Sequence, residues 1–319
     1  MNLQSWRRIP APKSIIYVGE YIIMRWVIFF MTALPYDIAT GLVRNFVRFG
    51  YGLAGKYRNI TAENIRLANP PVVTTPDQAN QLALRTFEYF GLSFVHMLYM
   101  DRFIHLKEKK HISFENTEVI DQALKGNRGV ILVSGHLGNW EIGINELAKK
   151  GYPINLVAFQ YVNPYLNKMM NQFRLRCKVN IIPTKGAIRH CEAALNRGEA
   201  VIMLVDQTGR EDGVEAQFFG RTAPAMWGPA NLHLKTRLTD GQAGAPIIPY
   251  GVRYDSGSDS EFKIHYTISV KEPIQFQPTG NKDADIKQLA QLYLSEIEKI
   301  IRRAPEQWIW FHRRWKKYK

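Results

Sequence analysis

The spacing of apolar residues along the chain changes period partway through. Residues 15–36, IIYVGEYIIMRWVIFFMTALPY, are apolar almost throughout and interrupted by Glu20 and Arg25. From 37 to 67, apolar positions such as Ile38, Leu42, Phe46 and Val47 recur at helical spacing beside Arg44, Arg48, Lys56 and Arg58, which predicts a basic amphipathic helix. Residues 76–100 predict another helix, with Pro76 near its start where a missing amide is tolerated. The period then shortens. RGVILVSGH reads as a β-branched strand running into a turn, NWEIGINELAKKG as a helix closing at Gly151, and INLVAF as the next strand. The alternation continues with a helix at 164–178, strand VNIIP, helix IRHCEAALNRG and strand EAVIMLV. Strands APIIPYGV and FKIHYTISV follow, then a long helix from about Ala284 to Arg303 and the terminal PEQWIWFHRRWKKYK. Strand, helix, strand repeated in this way predicts an α/β fold with a mostly parallel central sheet flanked by helices. No internal repeat, low-complexity tract or Gly/Ser-rich linker divides the 319 residues. One main domain, residues 46–319, is expected behind an N-terminal apolar helix within residues 1–45.

Charge narrows the partners. Forty-two Lys and Arg against 28 Asp and Glu leave a net charge of +14, which favours nucleic acid, anionic lipid headgroups or an acidic carrier protein. The N-terminal segment then points to lipid. Its longest uncharged stretch, residues 26–36, falls short of the ~20 residues of a bilayer span. Basic residues precede the apolar core as in a signal peptide, but charges lie inside that core and a small-residue cleavage site is missing. An interfacial or re-entrant helix anchored by Trp6, Trp26 and Tyr36 fits these features; a buried core helix is the alternative. Cys177 and Cys191 have neither CxxC spacing nor a histidine set at a metal-site interval, so they read as reduced thiols with no zinc implied.

The chemistry gathers at VSGHLGNWE, residues 133–141, where ligands of α/β folds bind beyond the carboxyl ends of strands. An imidazole takes a proton from a hydroxyl near neutral pH, and a carboxylate on its other nitrogen fixes the tautomer. His136 is the candidate base and Glu141 the candidate partner, provided that His136 lies in the turn before the helix. The alternative is a capped turn in which Asn139 caps the helix and His136 packs. The hydrolase elbow Gly-x-Ser-x-Gly is missing, as are HExxH, GxxxxGK[ST] and GxGxxG. A base without its own nucleophile suggests direct transfer to a substrate hydroxyl.

Several pieces occur in one order over nearly the whole chain: YRNITAENIRLANP, GVILVSGHLGNWE, NQFRLR, IIPTKGAIRHCEAALNRGEAVIMLVDQ, FFGRTAPA and PEQWIWFHRRW. Together they resemble the bacterial lipid A biosynthesis acyltransferases, the late lauroyl and myristoyl transferases within the HX4D/E lysophospholipid acyltransferase superfamily. The resemblance implies that His136 is general base and Glu141 its orienting acid. It also implies an acceptor hydroxyl on an anionic glycolipid attacking a thioester of acyl carrier protein at the cytoplasmic face of the inner membrane, with no metal or bound organic cofactor. Asn139, Arg174 (with Arg176 its rival), Asp206, Gln207 and Arg221 are the candidate substrate-binding residues, and FFGR a candidate lining of the cleft. For Asp206 the alternative is a strand-terminal turn, and for Arg174 a solvated helix charge. LTDGQA, before GAPIIP, resembles an insertion relative to the family. The basic residues Arg313, Arg314, Lys316, Lys317 and Lys319 among Trp308, Trp310 and Trp315 suit an anionic surface. The rival functions are an acyltransferase acting on another lipid and a basic membrane-peripheral or nucleic-acid-binding protein without turnover; no nucleic-acid module signature is present.

Overall fold

The computed structural model describes residues 11–68, 70, 73–103, 111–126, 128–207, 213–236, 244–255 and 264–315. Trp6, the LTDGQA segment, most of the TGREDG loop and Lys316, Lys317 and Lys319 lie outside the described residues. Helices come first: α1 (Ala11–Ala33), α2 (Tyr36–Leu53), α3 (Gly55–Ala68) and α4 (Pro76–Phe103). The single helix expected over 37–67 is two, broken at Ala54, whose N–H returns to the Gly50 carbonyl. Gly50, Gly52 and Gly55 crowd this point, and glycine is among the poorest residues for sustaining a helix. The boundary expected near residue 45 falls inside α2.

Counting uncharged residues also underestimated α1. It is continuous over 23 residues, about 34 Å at 1.5 Å per residue. Ser14–Ala33, 20 residues, is long and apolar enough by length and composition to cross a bilayer, and none of it is buried. Glu20 does not stop the helix, and its carboxylate accepts a hydrogen bond from Asn163 at 2.8 Å. α2 is apolar on two sides. Its inner side carries Ala39, Val43 and Val47 against α4, where Gly91 leaves room for the two valines. Its outer side exposes Ile38, Leu42, Phe46, Phe49 and Leu53.

The α/β alternation then unfolds as β1 (Ile112–Glu115), α5 (Glu118–Lys125), β2 (Val130–Ser134), α6 (Trp140–Lys149), β3 (Ile154–Ala158), α7 (Pro164–Arg176), β4 (Asn180–Pro183), α8 (Ala187–Leu195) and β5 (Ala200–Leu204). A hairpin, β6 (Val214–Phe218) and β7 (Arg221–Ala225), precedes α9 (Gly228–Lys235), β8 (Ile247–Tyr254), β9 (Tyr266–Val270) and α10 (Lys282–Arg303). The sheet order is β1-β9-β8-β2-β5-β3-β4, and every neighbouring pair is parallel except β8 and β9. The expected mostly parallel sheet is therefore the observed one. The pattern of apolar spacing left β1, α5, the hairpin and α9 unassigned.

Both faces of the sheet are covered, which explains why its central strands are unbroken apolar runs. Ile131 and Val133 point into one core with Leu289, Tyr293 and Leu294 of α10. Val130 and Leu132 point into the other with Ile144 and Leu147 of α6. Between β2 and α6 the chain turns at Gly138, at φ +60°, and a Cβ there would sit 1.9 Å from the Val252 carbonyl oxygen. Gly186, at φ +74°, has open space around the same position.

These two glycines separate strain from close approach. Gly186→Ala is expected to cost about 1–2 kcal/mol from the left-handed backbone alone, and Gly138→Ala clearly more, because strand β8 must also move. Chemical denaturation of the two variants checks this; equal losses would show that the approach of β8 is not a constraint.

Candidate functional site

The register of β2 and β5 creates the site. The strands are parallel with Ser134 opposite Leu204, and the Val205 N–H donates to the Ser134 carbonyl at 2.8 Å. One step of two residues beyond each partner brings His136 and Asp206 face to face, 70 positions apart in sequence. His136 Nδ1 lies 2.8 Å from Asp206 Oδ1, and the His136 backbone N–H donates to Oδ2 at 2.8 Å. Trp308 Nε1–H donates to the same Oδ2 at 2.7 Å. Asp206 is completely buried.

Burial alone would push the Asp206 carboxyl up. The His136 imidazole, the His136 amide and the Trp308 indole outweigh it and hold the group below the usual carboxylate range. An ionised Asp206 is a pure acceptor, so in the neutral imidazole this bond assigns the hydrogen to Nδ1 and the lone pair to Nε2. For His136 burial again opposes the charge. The Asp206 charge and hydrogen bond, with a smaller contribution from Glu141, prevail and raise its pKa above the ordinary histidine value. The ring is steadied edge-on by Trp140, with centroids 4.9 Å apart.

The C-terminal segment straps the turn in place. After α10, a 3-10 turn (Pro305–Gln307) delivers Trp308 to an antiparallel bridge with Leu137, and the Gly138 N–H donates to the Gln307 carbonyl at 3.0 Å. Gln307 exchanges two 2.8 Å hydrogen bonds with the backbone of Tyr254. Asn64 Nδ2 donates to the carbonyls of Trp310 and His312. Trp308 and Trp310 are buried, and so is Arg314, which donates to the Pro224 carbonyl and lies over the Phe218 ring. This corrects the expectation that these residues form an anionic-surface patch.

Glu141 is engaged elsewhere than expected. Both of its oxygens accept from Arg174, Oε2 from Nε at 3.0 Å and Oε1 from Nη2 at 2.5 Å, and both residues are buried. The expected pairing of Glu141 with His136 Nδ1 is therefore not seen. β5 lies directly beside β2, so Asp206 reaches that nitrogen from the neighbouring strand end, while Glu141 in the first turn of α6 meets α7. Burial lowers the Arg174 pKa, and the bond to Glu141 more than restores it.

The other expected residues divide. Asn139 caps α6, its Oδ1 accepting from the Ile142 N–H at 3.2 Å, while its Nδ2 ties the helix to the Ser93 carbonyl of α4 at 2.8 Å. Arg221 sits at the hairpin turn, exposed, and donates to the Leu67 carbonyl at 3.0 Å, away from the cavity lining. Phe218 and Phe219 are buried against Trp308 and Trp315 and are not in the lining of the cavity beside His136. Gln207 does reach the site, and its buried Nε2 has no partner among the described residues.

A cavity of about 1230 Å³ opens beside His136, larger than the ~300–1,000 Å³ of ordinary ligand pockets. Glu141, Arg174, Gln207 and His312 reach it among apolar side chains that include Phe90, Phe94, Leu156 and the conformable Met97, Met170, Met203 and Met226. His312 and Trp308 were not among the candidate site residues. Burial lowers the His312 pKa, against the pull of Asp206, and its buried Nδ1 has no partner among the described residues. The only signal for either was their place in PEQWIWFHRRW, which reads equally as a surface tail.

A histidine held by a buried carboxylate thus stands at the strand ends beside a large, mostly apolar cavity. The chain belongs to the bacterial lipid A biosynthesis acyltransferase family, whose model matches residues 12–317. It is similar to the lipid A biosynthesis palmitoleoyltransferase of Escherichia coli (strain K12), 24% identical over 301 residues, covering 94% of this chain and 90% of that one. It is also similar to the phosphatidylinositol mannoside acyltransferase of Mycolicibacterium smegmatis, 22% identical over 226 residues, or 68% and 69% of the two chains. A lipid A biosynthesis acyltransferase of Haemophilus influenzae is 26% identical over 215 residues, 65% of this chain and 61% of that one. The protein is an acyltransferase.

The buried Glu141–Arg174 pair carries its own expectation. Removing one partner strands a charge, so Glu141→Ala or Arg174→Ala is expected to cost about 3–5 kcal/mol. The double replacement is expected to cost less than the sum. A double-mutant cycle by denaturation checks this, and additive losses would show that the two charges do not interact.

Proposed function

We propose that the protein moves a fatty acyl group from the thioester of acyl carrier protein to a hydroxyl of a lipid A precursor at the cytoplasmic face of a bacterial inner membrane. The observation that carries the reading is the His136–Asp206 pair opening onto the apolar cavity in a chain of this family. His136 Nε2 takes the proton of the acceptor hydroxyl as its oxygen attacks the thioester carbonyl carbon. Asp206 keeps Nδ1 protonated and stabilises the imidazolium. When the C–S bond breaks, the imidazolium returns the proton to the departing thiolate, so base and charge are restored. Negative charge on the tetrahedral oxygen is met by the unpartnered Gln207 amide N–H and by the positive end of α6.

Arg174, clamped by Glu141, keeps its guanidinium charged at the cavity wall and is assigned to an anionic group of the substrate. The net charge of +14 supports both an acidic carrier and an anionic acceptor. α1, long and apolar enough to cross a bilayer, supports attachment to the membrane in which the acceptor resides. No resident metal or organic cofactor enters the reaction. The similarity to phosphatidylinositol mannoside acyltransferases supports a second reading, the same transfer to a different glycolipid.

Mass spectrometry of a lipid A precursor incubated with acyl carrier protein thioesters of several chain lengths tests the reading. One added acyl group with the wild type and none with His136→Ala is expected. No addition by folded wild type, with addition to a mannosylated lipid instead, would replace lipid A by the second acceptor. The pH profile tests the pairing. The base must be neutral, so the rate rises with pH through the His136 pKa, at a midpoint above the ordinary histidine value. Asp206→Asn is expected to move that limb to lower pH and cut the plateau by on the order of 10²–10⁴. An unmoved limb would show that Asp206 does not act on the base.

A further inference from the structure

The connection from β3 to α7, residues 159–163, reads FQYVN. Phe159 and Val162 are 68% and 77% exposed, and Tyr161 is also exposed, yet Phe159 and Tyr161 line the cavity that holds His136. The loop is thus continuous with the apolar cavity on one side and open on the other. Three of its first four residues are apolar or aromatic, a poor composition for a loop that faces only water.

It is also fastened to α1. Asn163, buried, caps α7 by accepting from the N–H groups of Tyr165 and Leu166. Its Nδ2 donates to Glu20 Oε2 at 2.8 Å and to the Tyr17 carbonyl at 2.9 Å. The Tyr21 and Tyr165 rings meet 5.8 Å apart. Beside these contacts α1 exposes Ile15, Ile16, Ile22 and Ile23, and the outward side of α7 carries Leu175 with Lys168, an apolar and basic combination matched to an anionic leaflet.

We infer that the 159–162 loop is the lipid portal of the enzyme: held by Asn163 to α1, it dips into the leaflet and admits the lipid acceptor sideways from the bilayer into the cavity. This rests on the membrane attachment read above and adds where the substrate enters. The Asn163–Glu20 bond sets the depth of the loop relative to α1, so the acceptor moves from lipid to His136 without crossing water. The second occupant that such a surface suits, the acyl carrier, is an outcome of the test.

The full-length chain carrying Val162→Cys takes a polarity-sensitive fluorophore at position 162, because Cys177 and Cys191 are buried. With vesicles of phosphatidylethanolamine and phosphatidylglycerol, the emission is expected to shift to the blue and be quenched by lipids bearing nitroxides in the upper acyl chain. The same label at Glu192→Cys, on α8, is expected to stay in water. Val162→Asp is expected to raise KM for a vesicle-embedded acceptor about tenfold. Vesicles that carry the protein in flotation while the probe at 162 stays in water would overturn the portal and leave membrane attachment standing. A shift produced by acyl carrier protein rather than vesicles would overturn it in favour of a carrier-docking loop. Failure of the wild type to float would overturn both.

Discussion

The structure turns on one buried carboxylate. Asp206 has no contact with water and stays ionised only because two N–H groups of His136 and one of Trp308 point at it. A buried charge without such partners would cost several kcal/mol, so each donor has to be delivered accurately. Three separate features do this. The register of β2 and β5 sets the two turns level, Gly138 lets the His136 turn pass close under β8, and the C-terminal strap carries Trp308 across the top. The His136–Asp206 pair and the stability of this edge of the sheet are therefore one construction.

A second buried charge pair lies on the cavity wall and is built differently. Glu141 and Arg174 join helices rather than strand ends, and their bidentate geometry neutralises both charges while keeping the guanidinium at the cavity. Glu141 still acts on His136 through space, raising its pKa without touching the Asp206-facing nitrogen. The site thus holds two carboxylates with separate partners, Asp206 bonded to the His136 ring and Glu141 securing the Arg174 guanidinium. The surrounding cavity is mostly apolar, so each of these interactions is stronger than it would be in water.

Much of the architecture was legible because β2, β3 and β5 are short β-branched runs between helices of distinct period. The position of His136 at a strand end was legible for the same reason. Its partner was not. HX4E places Glu141 near His136 in sequence, whereas Asp206 becomes a neighbour only because β5 lies beside β2 in an order that does not follow the chain. Asp206 and Gln207 were recognisable as candidates for substrate binding, but Asp206 not as the hydrogen-bond partner of His136. Trp308 and His312 were hidden by their basic surroundings, since a run of arginines and tryptophans reads as surface until Trp308, Trp310 and Arg314 are seen to be buried. The hairpin carrying Arg221 was not legible because FFGR has no strong turn signature; the arginine's Nε donates to the Leu67 carbonyl of α3. That α1 is long and apolar enough to cross a bilayer was not legible because Glu20 and Arg25 divide its uncharged run, whereas the helix continues through both and Glu20 is hydrogen-bonded to Asn163 at the start of α7.

On this geometry Asp206, and not Glu141, fixes the tautomer of His136. Nitrogen-15 and proton NMR of the protein labelled in histidine, with His136 assigned by its absence in His136→Ala, measures this directly. The account predicts a downfield Nδ1 proton and a neutral Nδ1-protonated ring at high pH, lost in Asp206→Asn and retained in Glu141→Gln. A ring protonated on Nε2, or a downfield proton that survives Asp206→Asn and disappears in Glu141→Gln, would contradict it.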